Sequence, residues 1–422
     1  MGSTAMSETA GIQRDTAQAL IDSLMQPLPL KRCVLPSRVI RSATYEGLAD
    51  AQGAPLPRLA SLYMDMVWQM PGTLITGLCA VSREGRTAYP AQAAIWDDSL
   101  IAPWRSVVDT VREASPGTRL FMQLAHAGRQ TLSKATGLPV KGAGVKPCGY
   151  FRQMTRPMSA EDARRAVEDF ATAARRARTA GFDGVQLHAA HGYLLHQFLS
   201  PRINSRKNAY KDTGLFLEQT VMAVREACGP DFPVLLKVSW ADEQGMSTRD
   251  ILPALERVAD EVDAVEVSYG SMEVPFNIVR GQFPAAAALS VNPFLKRLPL
   301  PLKMLWKLFV YPRKRKACKP FTHCYNLPGA QVLRDMLPIP IIPVGGIHNL
   351  ADMQFCLEQG FPAVSLSRPF IAEPDLLPRL ARGDWERSRC SVCNLCSVNC
   401  DSDGPLLCYR PRVGLLGKRG DA

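Results

Sequence analysis

The chain has 422 residues, of which 46% are hydrophobic and 21% charged, so it can bury a large core, and global disorder is excluded. It lacks any run of about 18 uncharged apolar residues, and residues 1–30 lack the pattern of a secretory signal. We therefore expect a cytoplasmic protein. Its formal net charge of +11 raises the question of nucleic acid or a membrane surface as partner.

The excess positive charge lies in one segment. Residues 274–334 contain 11 basic residues and no Asp or Glu. Removing those 11 from the 50 basic residues leaves the rest of the chain with equal numbers of acidic and basic side chains. No nucleic-acid-binding motif accompanies the charge, so nucleic acid is not an expected partner.

After a polar N-terminal extension, residues 1–30, short apolar runs alternate with helix-like stretches. The predicted strands are Val39–Ile40, Thr73–Thr76, Leu120–Leu124, Gly184–His188, Val234–Val238, Ala264–Val267, Ile341–Val344 and Ala363–Leu366. A helix is predicted over Ser159–Ala180, where Ser159 and Asp162 form a capping-box pattern. Eight strand–helix units over roughly 350 residues predict a (β/α)8 TIM barrel with an insertion before the seventh strand. An open doubly wound sheet is the competitor, but no GxGxxG is present.

Candidate catalytic side chains are clustered directly after the fourth predicted strand. His188 and His191 are three residues apart and can converge on one acceptor, and Tyr193 offers a phenol that donates a proton without carrying charge. A metal site is the alternative, but it lacks a nearby acidic third ligand. A purely structural role is the third interpretation.

The last two strands predict a phosphate site. Gly345 and Gly346 end one strand, and Ser367 and Arg368 end the next. Glycines let backbone N–H groups approach an anion, and arginine binds phosphate through two parallel hydrogen bonds. Phosphate sites often form after strands seven and eight of such barrels. The alternative is an ordinary turn beside a surface charge.

These motifs together resemble a known family. The segments are RSATYEG from Arg41, FMQLAHAGR from Phe121, HAAHGYLLHQFLSP from His188, PVGGI from Pro343 and SLSRP from Ser365. They resemble the old yellow enzyme family of FMN-dependent NADH:flavin oxidoreductases over about residues 30 to 412. The resemblance implies a TIM barrel, residues 31–385, that binds FMN across the carboxyl ends of its strands.

The resemblance also implies roles for individual residues toward the flavin. Ser42, Ala43 and Thr44 would line one side of the isoalloxazine, Gly77 would lie beneath it, and Gln123 would bond its pyrimidine edge. Lys237 stands where many members have arginine near the flavin N1 and O2, where a cation stabilises the negative charge of the reduced ring. Gly345, Gly346, Ser367 and Arg368 would hold the FMN phosphate.

The implied reaction is the NAD(P)H-driven reduction of an α,β-unsaturated carbonyl compound, an enone or enoate. His188 and His191 resemble the pair that binds the carbonyl oxygen, and Tyr193 resembles the proton donor to the α-carbon. Two alternatives stay open. One is an iron–sulfur flavoprotein dehydrogenase or demethylase, and the other is a non-catalytic, membrane-associated flavin-binding scaffold.

The tail, residues 386–422, is rich in cysteine. Cys390, Cys393, Cys396 and Cys408 approach the four-thiolate pattern of the family's iron–sulfur branch, which includes 2,4-dienoyl-CoA reductase, and Cys400 makes the ligand set ambiguous. Such thiolates bind a [4Fe–4S] cluster or zinc. Only 14 residues follow Cys408, so the FAD domain of that branch is not expected.

The basic insertion, residues 274–334, is interpreted as a helical lid over the flavin whose apolar side packs on the barrel mouth. Its residues 292–319 also suit peripheral contact with an anionic membrane. A third interpretation is attraction of anionic substrates such as CoA thioesters or NADPH. The physiological substrate and the oligomeric state are not indicated by the sequence.

Overall fold

The protein, seen in a computed structural model that describes residues 17–292, 294–402 and 404–410, is built on a barrel of parallel strands. The strands are β1 Val39–Arg41, β2 Thr73–Ile75, β3 Arg119–Ala125, β4 Gly184–Ala189, β5 Val234–Ser239, β6 Ala264–Ser268, β7 Ile341–Pro343 and β8 Val364–Leu366. Each pairs in parallel with the next from β1 to β7, and β8 pairs with β1. A bridge between Val344 and Ser365 closes the ring. The predicted (β/α)8 barrel is therefore confirmed, with every strand end within one residue of its predicted position.

Helices follow the strands and cover the outside of the barrel. They are α1 Pro57–Val67, α2 Ile101–Ala114, α3 Ala160–Thr179, α4 Leu215–Cys228, α5 Thr248–Arg257, α6 Leu327–Met336, α7 Leu350–Glu358 and α8 Leu376–Ala381. The predicted capping box begins α3: the Ser159 hydroxyl accepts from the Asp162 N–H and the Asp162 carboxylate accepts from the Ser159 N–H, both at 2.9 Å. Apolar residues at helical spacing, such as Ala163, Ala166 and Phe170, face the core.

The amino end of the barrel is closed by the segment before β1. Residues 17–25 are helical, and Ile21 and Leu24 are buried in the main core. The hairpin Leu28–Pro29/Val34–Leu35 brings Leu28 and Leu35 against strand residues such as Phe121. Because this end is filled by apolar side chains, the carboxyl end of the barrel is the one open to a ligand.

Shorter helices and strands lie in the connections between the main elements of the barrel. After β2 and β3 come Cys79–Ala80, Asp98–Leu100, Ser133–Thr136, Lys141–Gly142 and Arg156–Pro157, and after β4 come Leu194–Leu199 and Ala209–Lys211. The basic insertion contains Pro275–Val279, Ala285–Val291, Leu300–Leu305, a π-helical turn Trp306–Val310, and Tyr311–Ala317. Arg368–Ala372 follows β8, and Leu395–Asn399 lies in the tail. Within the described residues, every helix is too short or too polar to cross a membrane.

Candidate active site

A cavity of about 1000 Å³ opens at the carboxyl ends of the strands. Twelve of the thirteen residues predicted to act in catalysis or to bind the flavin line it: Ser42, Ala43, Thr44, Gln123, His188, His191, Tyr193, Lys237, Gly345, Gly346, Ser367 and Arg368. The exception is Gly77, whose neighbour Leu78 lines the cavity instead. Residues from six different strand ends thus meet in one space, as parallel strands in a barrel require.

A chain of buried hydrogen bonds runs under the cavity floor and connects residues of five strands. Lys237 Nζ donates to Ser42 Oγ at 2.8 Å, and Ser42 Oγ donates to Glu266 Oε1 at 2.6 Å. The other Glu266 oxygen accepts from Gln186 Nε2 at 2.7 Å, and Gln186 Oε1 accepts from Gln123 Nε2 at 2.7 Å. The network fixes the rotamers of Ser42, Gln123 and Lys237 at the cavity wall.

Glu266 is the electrostatic centre of this network. Burial alone would raise the pKa of Glu266, but the ammonium of Lys237, 3.4 Å away, and the hydrogen bonds hold it below its ordinary value. Burial lowers the pKa of Lys237, and Glu266 opposes that change. The carboxylate thus helps keep a positive charge at the cavity wall. Sequence reasoning missed Glu266, although a carboxylate within the apolar strand AVEVS was a visible signal.

His188, His191 and Tyr193 form one aromatic cluster. The His188 ring centroid lies 5.1 Å from that of His191 and 4.7 Å from that of Tyr193. His191 Nε2 lies 2.8 Å from Ser268 Oγ. In contrast, His188 Nδ1 is buried with no hydrogen-bond partner among the described residues. Both His188 and His191 line the cavity.

The backbone at His191 is held in an unusual conformation. Its φ is +60°, in the left-handed region that side chains disfavour. Its N–H donates to Ser239 Oγ at 3.0 Å, and its carbonyl accepts from Gln130 Nε2 at 2.8 Å. These two bonds hold a strained turn, a feature that clusters at functional sites.

Burial sets the charge of all three side chains. It lowers the pKa of His188 and of His191 well below the ordinary value, with smaller effects from neighbouring cations. It raises the pKa of Tyr193, with a smaller contribution from Cys400. At neutral pH the two imidazoles are therefore uncharged and the phenol is protonated, so all three present neutral N–H or O–H groups.

After β7, two glycines let neighbouring side chains of the protein pack directly on the backbone. Gly345 and Gly346 have φ of +110° and +79°, and a Cβ at Gly345 would stand 2.6 Å from Asn326 Nδ2. The hydroxyls of Thr44 and Ser367 lie 2.8 Å apart across the β1–β8 seam. Gly345 and Gly346 line the cavity, and their backbone N–H groups, these two hydroxyls and Arg368 form a donor set that suits a phosphate.

Arg368 is held by segments that are distant in sequence. Its Nη1 donates to the Arg280 carbonyl and to Asn394 Oδ1, both at 2.9 Å. Asn394 Nδ2 donates in turn to the carbonyls of Arg280 and Gln282, at 3.0 and 2.9 Å. The basic insertion and the cysteine-rich tail therefore meet at this arginine. Sequence reasoning missed Asn394, for which no local pattern gave a signal.

A second contact joins the insertion and the tail above the cavity. The Asp401 carboxylate accepts from Tyr150 OH at 2.7 Å and from Asn292 Nδ2 at 2.8 Å. Burial raises the pKa of Asp401. Tyr150, Asn292 and Asp401 all line the cavity, so the tail forms part of its roof.

Gly77 packs closely against Glu46 at the end of β2. Its N–H donates to both carboxylate oxygens of Glu46, at 2.8 and 3.0 Å. Glu46 also pairs with Arg41 at 2.9 Å and accepts from Tyr63 OH at 2.7 Å. A Cβ at Gly77 would stand 2.2 Å from Glu46 Oε2, so this glycine is required by close approach to Glu46.

The tail cysteines divide into two groups. Cys396 and Cys400 line the cavity, whereas Cys390, Cys393 and Cys408 do not. Burial raises the pKa of Cys396 to about 12, and it also raises that of Cys390. Over residues 17–292, 294–402 and 404–410, no three or more His, Cys, Asp and Glu side chains are grouped to hold a metal ion. The thiols as arranged do not fit a four-ligand centre, and the predicted ligand set stays a prediction that iron and sulfide analysis would decide.

The fold and the cavity define a (β/α)8-barrel protein with a phosphate-type donor set at one end of its site and a neutral His–His–Tyr cluster at the other. Residues 23–274 match the NADH:flavin oxidoreductase / NADH oxidase family, which is more than half of the chain. The chain therefore belongs to that family, as the sequence motifs predicted, and is a flavin-dependent NAD(P)H oxidoreductase.

Individual relatives agree with this assignment. The chain is 26% identical to the 4,4'-dithiodibutanoate disulfide reductase of Rhodococcus erythropolis, over 89% of this chain and 92% of that protein. It is 26% identical to the NADH oxidase of Thermoanaerobacter brockii, over 87% of this chain but 52% of the relative. The old yellow enzyme homologue of Zymomonas mobilis superposes with a TM-score of 0.64 at 22% identity, over 87% of this chain and 95% of that one. That likeness supports the fold.

The residues at the cavity fit a flavin mononucleotide. Anion donors from β1, β7 and β8 stand at one end, and a buried cation, Lys237, stands in the wall at strand β5. The amide of Gln123 lines the same cavity and adds hydrogen-bonding capacity. The volume of about 1000 Å³ also leaves space for a small second molecule.

Proposed function

We propose that the protein is an FMN-dependent ene-reductase, which uses NADH or NADPH to reduce the C=C bond of an α,β-unsaturated carbonyl compound. The observation that carries the proposal is the neutral cluster of His188, His191 and Tyr193 on the cavity wall. Uncharged N–H donors suit a carbonyl oxygen, and a protonated phenol suits proton delivery to carbon. The family membership supports the flavin and the nucleotide.

Each residue has a distinct task in this proposal. Gly345, Gly346, Ser367 and Arg368 would hold the phosphate of FMN, and Lys237, Ser42 and Gln123 would bind its ring. FMN, when bound, supplies the hydride to the substrate β-carbon. His188 and His191 hold the carbonyl oxygen by hydrogen bonds that strengthen as negative charge develops there. Tyr193 Oη gives its proton to the α-carbon, and the proton is later replaced from solvent.

The test separates the two half-reactions. Tyr193→Phe removes the proton donor but keeps the ring, so the rate at which an enone reoxidises the flavin should fall by about 10²–10⁴-fold. The rate at which NADPH or NADH reduces the flavin should stay within about twofold, since that step needs no proton at carbon. Tyr89→Phe is the matched control, because Tyr89 is a second tyrosine that lines the same cavity.

Two outcomes would contradict the proposal. One is a Tyr193→Phe protein that still reduces enones at the parental rate. The other is an equal loss in the Tyr89→Phe control, which would point to general damage of the cavity. Parallel stopped-flow traces with each nucleotide also decide between NADH and NADPH, and CoA thioesters of enoic acids test whether the substrate is a thioester.

A further inference from the structure

The basic insertion exposes an unusual amount of apolar surface. Residues 300–317 form one continuous helix with a π-helical turn at its centre, and none of its residues is fully buried. Leu300 is 76% exposed, Met304 67%, Leu308 65% and Phe309 56%. Large apolar side chains that are grouped and exposed in this way mark an interaction surface.

The opposite side of the same helix faces the cavity. Trp306, Val310, Arg313 and Ala317 line it, and they follow one another at spacings of three or four residues. The exposed residues Met304, Leu308 and Phe309 do not line the cavity and lie on the outer side of the helix. The helix is therefore apolar on both sides, and the barrel covers only one of them.

The cations beside the outer face are unpaired within the described residues. Lys307, Arg315 and Lys316 are exposed, and among residues 17–292, 294–402 and 404–410 they make no ion pair. Surface arginines elsewhere, such as Arg257 with Asp212 at 2.7 Å, do have acidic partners. Because residues 274–334 contain no acidic residue, the helix presents apolar and positive groups together, without any negative charge.

We propose that the helix 300–317 docks this protein on an anionic lipid surface. A helix of this kind lies in the interface with its apolar side chains among the acyl chains and its cations at the headgroups. Eighteen residues at about 1.5 Å each give roughly 27 Å of helix to lie in that plane. A second copy of the chain is the poorer occupant, because a symmetric contact would place two acid-free cationic faces against each other.

Docking in this way has a consequence for the substrate, which rests on the proposed function. The helix that touches the lipid is also the wall of the cavity, with Trp306 and Val310 on the inside. A lipophilic α,β-unsaturated carbonyl compound dissolved in the bilayer would therefore reach the site along this helix. Membrane attachment would raise the local concentration of such substrates and leave the reaction with water-soluble enones unchanged.

The proposal is tested by co-sedimentation of the full-length flavin-loaded protein with vesicles. Vesicles that contain phosphatidylglycerol should bind the protein, and vesicles of phosphatidylcholine alone should bind at least tenfold less. The triple variant Met304→Ser, Leu308→Ser, Phe309→Ser should lose at least tenfold in affinity. The triple variant Lys307→Gln, Arg315→Gln, Lys316→Gln should lose a similar amount, since each cation near an anionic surface contributes about fivefold.

The matched control is Met222→Ser, Val332→Ser, Met336→Ser, which removes exposed apolar side chains from helices α4 and α6. It should bind vesicles like the parent. Absence of sedimentation with anionic vesicles, or equal losses in the control and in the helix variant, would overturn the proposal. Sedimentation velocity without lipid would also overturn the proposal if it showed a dimer that the variant Met304→Ser, Leu308→Ser, Phe309→Ser abolishes. That result would assign the outer face of the helix to a second copy of the chain.

Activity is measured separately, so the two proposals fail in different ways. Vesicle binding without turnover of any enone would contradict the ene-reductase function and leave the docking surface standing. Turnover of a water-soluble enone without vesicle binding would contradict the docking surface and leave the ene-reductase function standing. The triple variant Met304→Ser, Leu308→Ser, Phe309→Ser should reduce the water-soluble enone at the parental rate. Its rate with an enone dissolved in vesicles should fall at least threefold. Unchanged rates with both substrates would contradict entry of the substrate from the lipid.

Discussion

Replacing Glu266 by Gln tests the buried network at its centre. Glu266 is 3% exposed and accepts hydrogen bonds from Ser42 and Gln186 at 2.6 and 2.7 Å, with the Lys237 ammonium 3.4 Å away. Glutamine keeps the shape but removes the negative charge. Lys237 is then a buried cation without a counter-ion, which costs about 3–5 kcal/mol in comparable sites. Deprotonation of Lys237 limits that cost, so we expect the free energy of unfolding to fall by about 3 kcal/mol.

The assay is urea unfolding followed by tryptophan fluorescence, combined with a double-mutant cycle. Glu266→Gln, Lys237→Met and the double variant are compared with the parent protein at the same flavin content. Because the partners are in contact, the double variant should lose less than the sum of the single losses, by about 1–3 kcal/mol. A loss below about 1 kcal/mol for Glu266→Gln, or strictly additive losses, would refute the reasoning about an essential buried ion pair.

Three further predictions concern other parts of the fold. Gly345→Ala should weaken FMN binding in a fluorescence titration, because its Cβ would meet Asn326 Nδ2 at 2.6 Å at a φ of +110°, and unchanged affinity would contradict the tight approach. Ser159→Ala should cost about 1 kcal/mol in urea unfolding through loss of the α3 cap, and a neutral effect would contradict that capping role. Burial lowers the pKa of His126 from 6.5 to about 3, so the unfolded chain binds more protons below pH 6.5. The free energy of unfolding should therefore fall by up to about 1.4 kcal/mol per pH unit as the pH is lowered from 6.5 toward 3. In His126→Gln, urea unfolding at several pH values should show a smaller dependence of this free energy on pH.

The features that sequence could predict are those encoded over short distances along the chain. The eight strands were visible as apolar β-branched runs, because strands of a covered parallel sheet are buried on both faces. The Ser159–Asp162 capping box needed only four adjacent residues to be recognised. Placement of His188, Lys237 and Gly345 around one cavity followed once the barrel was assigned, because the carboxyl ends of its strands meet at one end.

The features that sequence could not predict depend on contacts between distant segments. Nothing near Asn394 indicates that its amide binds Arg368, because that contact requires the tail to cross the barrel mouth. The partners of Glu266 could not be predicted for a similar reason, since they come from other strands. The contact between the Gly77 N–H and Glu46 also joins two separate segments, and its role toward the flavin stays a prediction from the resemblance. The exposure of Leu308 and Phe309 depends on how their helix packs on the barrel, which the sequence does not show.

The most direct test of the ene-reductase function is an anaerobic reductive titration of the purified protein, followed by visible absorbance. We predict a stoichiometric FMN chromophore that is bleached by NADH or NADPH and recovers fully when an α,β-unsaturated carbonyl compound is added. The saturated carbonyl product should form in an amount equal to the nucleotide oxidised. A chromophore that stays bleached with every enone tested, or a protein that binds no FMN on reconstitution, would contradict the ene-reductase function.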